Sequence, residues 1–143
     1  WTNWLTPRRV AAEERALAAA ARHWIDFMGL SHLADRPARI LSGGQRKLLE
    51  LARVLVAQPR LILLDEPGAG VNPTLLEAIV DRIVALNRQG ITFLIIEHNM
   101  DLVMSLCSPI MVMAQGRLLT TGTAHEVSVD PRVVEAYLGG ALA

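Results

Sequence analysis

Three short apolar runs, Leu61–Leu64, Ile91–Ile96 and Ile110–Met113, constrain this chain more than any other feature. None approaches the ~18 apolar residues that a membrane span needs. They alternate with stretches of helical period, and near-continuous runs of this kind predict central strands of a parallel sheet covered on both faces. The fold class is therefore α/β, with a mostly parallel sheet core flanked by helices.

The helical stretches carry their own punctuation. Thr6-Pro7 reads as a capped start, and Val10, Leu17, Ala20, Ala21, Trp24, Ile25 and Met28 recur at helical spacing until Gly29 ends the run. A second helix is expected after Gly44, with Leu48, Leu51, Ala52 and Leu55 on one face, closing near Ala57. A third follows Asn72-Pro73 and carries Leu75, Leu76, Ile79, Val80, Ile83 and Leu86 to Gly90. After Gln115-Gly116, Arg117–Thr121 reads as a strand turning back on the one before it, and Pro131–Leu138 as a short closing helix.

Composition excludes several classes. In 143 residues, 52% are hydrophobic and the mean hydropathy is +0.32, which rules out intrinsic disorder. Lysine plus arginine equal aspartate plus glutamate at 14 each, yet residues 1–60 carry +5 and residues 61–143 carry −5. The arginines of the basic half are spread over helical stretches instead of forming a run with interleaved aromatics, so no nucleic-acid partner is expected. Cys107 is the only cysteine; there is no disulfide framework and no cysteine zinc site, which fits a reducing compartment. His23, His32 and His125 show no metal-ligand spacing. The opening Trp1-Thr2-Asn3-Trp4, without an initiator methionine, reads as a cut inside a longer protein.

Three segments carry chemistry. Leu41-Ser42-Gly43-Gly44-Gln45 opens a helix, where free N–H groups, a hydroxyl and missing side chains suit a phosphate. It also suits a plain serine cap relaxed by two glycines. Leu61–Leu64 ends in Asp65-Glu66-Pro67, so two carboxylates stand at the carboxyl edge of the sheet, where ligands of open α/β sheets bind. Asp65 could hold Mg²⁺ and Glu66 could take a proton from water, or both could simply end a strand in solvent. Ile95-Ile96 leads into Glu97-His98-Asn99, where His98 could donate to a phosphate or serve as a structural residue.

Glycine turn, helix, strand with Asp-Glu, helix, strand with His: in this order the segments resemble the ATP-binding-cassette (ABC) ATPase family, a P-loop NTPase fold. Leu41–Gln45 matches its signature motif, Leu61–Asp65 its Walker B strand, Glu66 its catalytic glutamate, Gly68–Pro73 its D-loop and His98 its switch histidine. Ala69-Gly70-Val71-Asn72-Pro73-Thr74-Leu75, Glu97–Asp101 and Val134–Gly139 resemble the ATP-binding subunits of branched-chain amino-acid importers.

The resemblance implies residues 1–57 as part of a helical subdomain ending in the signature helix, and residues 58–143 as the C-terminal part of the ATPase core. It implies ATP and Mg²⁺, with Ser42, Gly43, Gly44 and Gln45 at the γ-phosphate held by a second subunit in a head-to-tail dimer. Asp65 would serve the metal, with Glu66 and His98 as the catalytic pair. Transmembrane permease subunits and a place on the cytoplasmic face of a bacterial inner membrane follow from the same resemblance.

The family's phosphate loop needs Gly-Lys-Ser/Thr, and Lys47, between Arg46 and Leu48, is the only lysine. The chain is thus expected to be a C-terminal fragment lacking Walker A, inactive alone and prone to self-association through bare strand edges. Trp1 and Trp4 make poor candidates for an adenine platform, and Trp24 reads as helix-face core. Two other readings are a non-hydrolysing interaction module derived from such an ATPase, and an ABC-type ATPase of DNA repair or chromosome maintenance. The latter carry long heptad arms, whereas residues 1–40 hold one ordinary helix.

Overall fold

The computed structural model describes residues 7–138. They divide into two compact units, one made of the chain up to Leu63 with Ala69–Leu94, the other of Leu64–Gly68 with the chain from Ile95 onward. Thr6, Trp1 and Trp4, singled out above, lie outside the described residues.

The first unit is built on three helices: α1 (Pro7–Phe27), α2 (Gly43–Leu55) and α3 (Pro73–Arg88). Short 3₁₀ turns at Ser31–Leu33 and Ala38–Ile40 connect α1 to α2. Both glycine stops act as the sequence predicts. Gly29 (φ +72°) and Gly90 (φ +96°) occupy the left-handed region. There Leu30 N–H reaches Ile25 O at 2.9 Å and Ile91 N–H reaches Leu86 O at 3.2 Å, the Schellman pattern that satisfies the last carbonyls of a helix. Helix α2 packs on α1 and on α3, and Leu48, Leu51, Ala52, Leu55, Ile79, Ile83 and Leu86 are buried. Trp24 is half-buried, its ring edge-on to Phe27 at 5.7 Å, while the Arg82 guanidinium lies 5.3 Å from the Phe27 centroid. Leu17 departs from the expected apolar stripe: it is exposed.

Strands β1 (Leu61–Asp65) and β2 (Thr92–Ile96) pair with each other. Thr92 N–H donates to Arg60 O at 3.0 Å and Glu66 N–H to Ile96 O at 2.9 Å. Both strands therefore advance in the same direction, which is parallel pairing.

The second unit holds α4 (Met100–Leu106), β3 (Ile110–Ala114), β4 (Arg117–Gly122), α5 (Ala124–Ser128) and α6 (Pro131–Leu138). Strands β3 and β4 form an antiparallel hairpin about Gln115-Gly116, with Ala114 opposite Arg117. Both turn residues have positive φ, the two-residue turn whose twist matches that of the strands. The register steps between Val112 and Met113, which face Thr120 and Leu118, so Leu119 is a bulge residue. Ile110, Val112, Val127 and Val133 form the core of this unit.

Helix α5 has no counterpart in the sequence expectation, although Thr123-x-x-Glu126 is a capping box in plain view. Thr123 N–H donates to Glu126 Oε2 at 2.7 Å and Glu126 N–H donates to Thr123 Oγ1 at 3.3 Å. Hydrogen bonds from Thr123 hold the Glu126 carboxyl below its usual range.

The α/β class and the partial P-loop NTPase character hold, but the sheet differs from the sequence expectation in two ways. Among the described residues β1–β2 and β3–β4 are separate two-stranded sheets. The strands are also covered on one face only. Burial alternates along β1 and β2, leaving Leu61 (50%), Leu63 (69%), Leu94 (49%) and Ile96 (62%) exposed. Continuous apolar runs specify two buried faces; these helices supply one.

Candidate functional site

Sequence and backbone together place Asp65 and Glu66 where β1 stops. Asp65 ends the strand, and Glu66 turns out of it at φ +45°. A non-glycine residue in that region costs roughly 1–3 kcal/mol unless its surroundings hold it. The bond from its N–H to Ile96 O extends the parallel ladder by one residue and supplies that hold. Pro67 then blocks any return to helix, and the chain turns through Gly68–Gly70 toward α3.

The neighbouring strand ends in step. Beyond Ile96, Glu97 and His98 leave β2 and Asn99 caps α4, its Oδ1 accepting Leu102 N–H at 3.1 Å. His98 Nδ1 lies 3.2 Å from Glu66 Oε1. Both side chains are substantially open to solvent, 74% for His98 and 49% for Glu66, so a ligand can reach them. The structure thus brings together two of the residues selected from sequence, 32 positions apart, through parallel strands that end side by side.

Glu97 carries no role in the sequence reading. Its Oε1 accepts Gly68 N–H at 2.8 Å, tying the turn after Glu66 to the end of β2. An acid at the end of an apolar strand is the only sequence signal for this. Burial pushes the Cys107 thiol up, and the Glu97 charge adds to the shift, so Cys107 stays protonated and unreactive near neutral pH.

In the other unit, Ser42 is the N-cap of α2. Its Oγ accepts Gln45 N–H at 3.3 Å, and Ser42 N–H donates to Gln45 Oε1 at 2.9 Å. This capping box starts the helix at Gly43, two residues earlier than expected, with both glycines in the first turn. The plain cap and the phosphate cradle are compatible, since the Ser42 hydroxyl only accepts in this bond and its own proton stays available.

The two glycines differ. A Cβ on buried Gly44 would strike Leu75, 2.7 Å from its Cγ, and would press Val71 Cγ1 at 3.3 Å. A Cβ on exposed Gly43 would meet nothing within 4 Å. A side chain at 44 would thus have to displace Leu75, whereas the backbone at 43 is open and a ligand could approach it. Arg46 points to solvent while Lys47 is half-buried. Asn72, in the expected D-loop, caps α3 by accepting Leu75 N–H at 3.0 Å. Ser42→Ala is expected to cost about 1 kcal/mol through loss of the cap; urea unfolding of the two proteins side by side measures it.

Among the described residues no three His, Cys, Asp or Glu side chains gather as a metal site. Mg²⁺ held by one or two carboxylates together with phosphates and waters needs no such cluster. The exposed Asp65 carboxylate at the strand end fits that donor set.

A solved structure described as the ADP conformation of MJ1267, an ATP-binding cassette of an ABC transporter, matches with a TM-score of 0.80 and 42% identity. The match covers 87% of this chain and 50% of that one. A nucleotide-free cassette from an ABC transporter matches at 0.80 and 41% identity, covering 85% and 50%. The model of the "ABC transporter" family matches residues 2–69, and that of the "Branched-chain amino acid ATP-binding cassette transporter" family matches residues 117–143. The chain belongs to the ABC transporter ATP-binding family.

A probable branched-chain amino acid transport ATP-binding protein LivG of Archaeoglobus fulgidus is 42% identical over 127 residues, 89% of this chain and 49% of that protein. The Methanocaldococcus jannaschii LivG is 41% identical over 141 residues, 96% and 55%. The high-affinity LivG of Escherichia coli K12 is 41% identical over 137 residues, 95% and 53%. The chain spans about half the length of the curated relatives it matches.

Proposed function

We propose that this chain supplies the signature, Walker B, D-loop and switch-histidine portion of the ATP-hydrolysing subunit of an ABC importer. Branched-chain amino acids are the transported class, by likeness to the LivG relatives. Residues 1–57 belong to the helical subdomain and residues 58–143 to the ATPase core. The observation that carries the reading is the Glu66–His98 contact at the ends of two parallel strands.

Glu66 Oε1 accepts a proton from the water that attacks the terminal phosphoryl group of ATP. The His98 ring meets Glu66 through Nδ1, so the two side chains orient each other; with a proton on each ring nitrogen it would also donate to a phosphate oxygen. Asp65 holds Mg²⁺, which when bound neutralises charge on the phosphate oxygens. Ser42, Gly43 and Gly44, with Gln45 fixing the serine, donate from the start of α2 to the γ-phosphate bound by the other subunit of a head-to-tail dimer.

Such a dimer works with transmembrane permease subunits on the cytoplasmic face of a bacterial inner membrane. No helix among the described residues is long and apolar enough to cross that membrane. The 143 residues contain no Gly-Lys-Ser/Thr loop, and phosphoryl transfer depends on that positioning. Alone they do not turn over ATP, and they self-associate through the edges of their two-stranded sheets. A phosphate-release assay with Mg²⁺ and ATP tests this. Release from the 143-residue chain is expected to equal that of its Glu66→Gln variant, and turnover above that variant would overturn the inactivity of the chain alone.

A further inference from the structure

Three consecutive residues at the end of β2 hold the turn that carries Glu66. Ile96 O accepts Glu66 N–H at 2.9 Å, Glu97 Oε1 accepts Gly68 N–H at 2.8 Å, and His98 Nδ1 meets Glu66 Oε1 at 3.2 Å. Pro67, buried between the two anchored amides, has no N–H to give. Gly68 is therefore the first residue after Glu66 that can donate from its backbone.

Glu66 needs that second anchor. Its φ of +45° lies in the left-handed region, where a non-glycine residue persists only when its surroundings over-determine it. Rotation about N–Cα leaves the bond from Glu66 N–H to Ile96 O intact, so that bond holds the upstream side of the residue alone. The ring of Pro67 locks the φ that follows. Gly68, tied to the half-buried Glu97, closes the segment, and few torsions stay free between the two anchors. Released at Gly68, the turn can relax toward ordinary negative φ, which swings the Glu66 Cβ and the carboxylate it carries.

We propose that Glu97 is a positioning residue for hydrolysis: its carboxylate, by holding Gly68 N–H, aims Glu66 at the attacking water. The inference rests on Glu66 as the base and deepens that reading by naming what sets its direction. Glu97 transfers no proton; it acts through the backbone. Misplacing a reacting group by about 1 Å can cost about 10²-fold in rate. Burial, and after it the Glu97 charge, push the Cys107 thiol up, so the carboxylate also acts on its surroundings as a charge. Reach and charge separate in two conservative variants.

In the intact cassette carrying this sequence, Glu97→Asp keeps the charge and withdraws the acceptor by one methylene. Its kcat should fall at least about tenfold while KM for ATP stays within about twofold. Glu97→Gln keeps an acceptor oxygen at the same reach and should stay within about threefold of the wild-type kcat. The third variant combines Glu97→Asp with Glu66→Gln. With no base left to aim, the pair should be no slower than Glu66→Gln alone, whereas a general loss of stability would multiply with it. Wild-type kcat in Glu97→Asp, losses that multiply in the pair, or a Glu97→Gln enzyme as slow as Glu97→Asp overturns the proposal and leaves Glu66 as the base. A Glu66→Gln enzyme at the wild-type rate removes the base itself, and the proposal with it.

Discussion

Glu66→Gln in an intact cassette carrying this sequence is expected to lower ATP turnover by about 10²–10⁴, the range for loss of a positioned base. The substitution keeps the side chain's length and an oxygen that can face His98, and removes only the charge and the basicity. His98 Nδ1 at 3.2 Å can still find a partner, so local structure should survive and the loss should fall on the chemical step. Nucleotide affinity should change little while the rate collapses. That separates Glu66 from Asp65, where Asp65→Asn should raise the Mg²⁺ needed for half-maximal activity. Steady-state turnover across a Mg²⁺ series distinguishes the two, and a Glu66→Gln enzyme with wild-type rate would remove Glu66 from the chemistry.

The largest stability effect expected is for Leu86→Ala. Leu86 is fully buried on α3, and its carbonyl accepts the N–H of Ile91 where the helix closes. Deleting a buried leucine side chain costs about 2–5 kcal/mol, out of the roughly 5–15 kcal/mol that holds a domain folded. Leu63→Ala is the comparison, since Leu63 is 69% exposed on β1 and exposed changes usually stay within about 0.5 kcal/mol. Denaturant midpoints of the two variants should differ widely. Equal destabilisation would mean that the β1 face is covered in solution.

The contrast between these two leucines also explains what could be read from the sequence. Helix periodicity makes α1, α2 and α3 legible because α2 and α3 each bury one face, α1 half-buries one, and the ends are marked by Asn72, Gly29 and Gly90. Leu61–Leu64 and Ile91–Ile96 are legible as strands for a different reason, apolar residues on both faces. The same feature leads to the expectation of two covered faces, because a sequence records what a strand is built to meet and not what this chain alone provides. Helix α5 is too short for a period to show, and only its capping box betrays it. At the site, Glu66 and His98 can be selected because each follows an apolar strand. Their proximity depends on which strands are neighbours, which no local pattern encodes. Glu97 escapes notice because its role is a bond to the backbone of Gly68, which leaves no mark on residue type.

The most direct measurement is a structure of the intact cassette with Glu66→Gln and Mg²⁺–ATP bound. The substituted amide at position 66 and the His98 ring should both lie within hydrogen-bonding reach, about 2.6–3.2 Å, of the attacking water or of the terminal phosphate oxygens. A terminal phosphate held elsewhere, with His98 turned away from it and the side chain at position 66 touching neither water nor phosphate, would contradict the assignment of this strand-end pair as the hydrolytic centre.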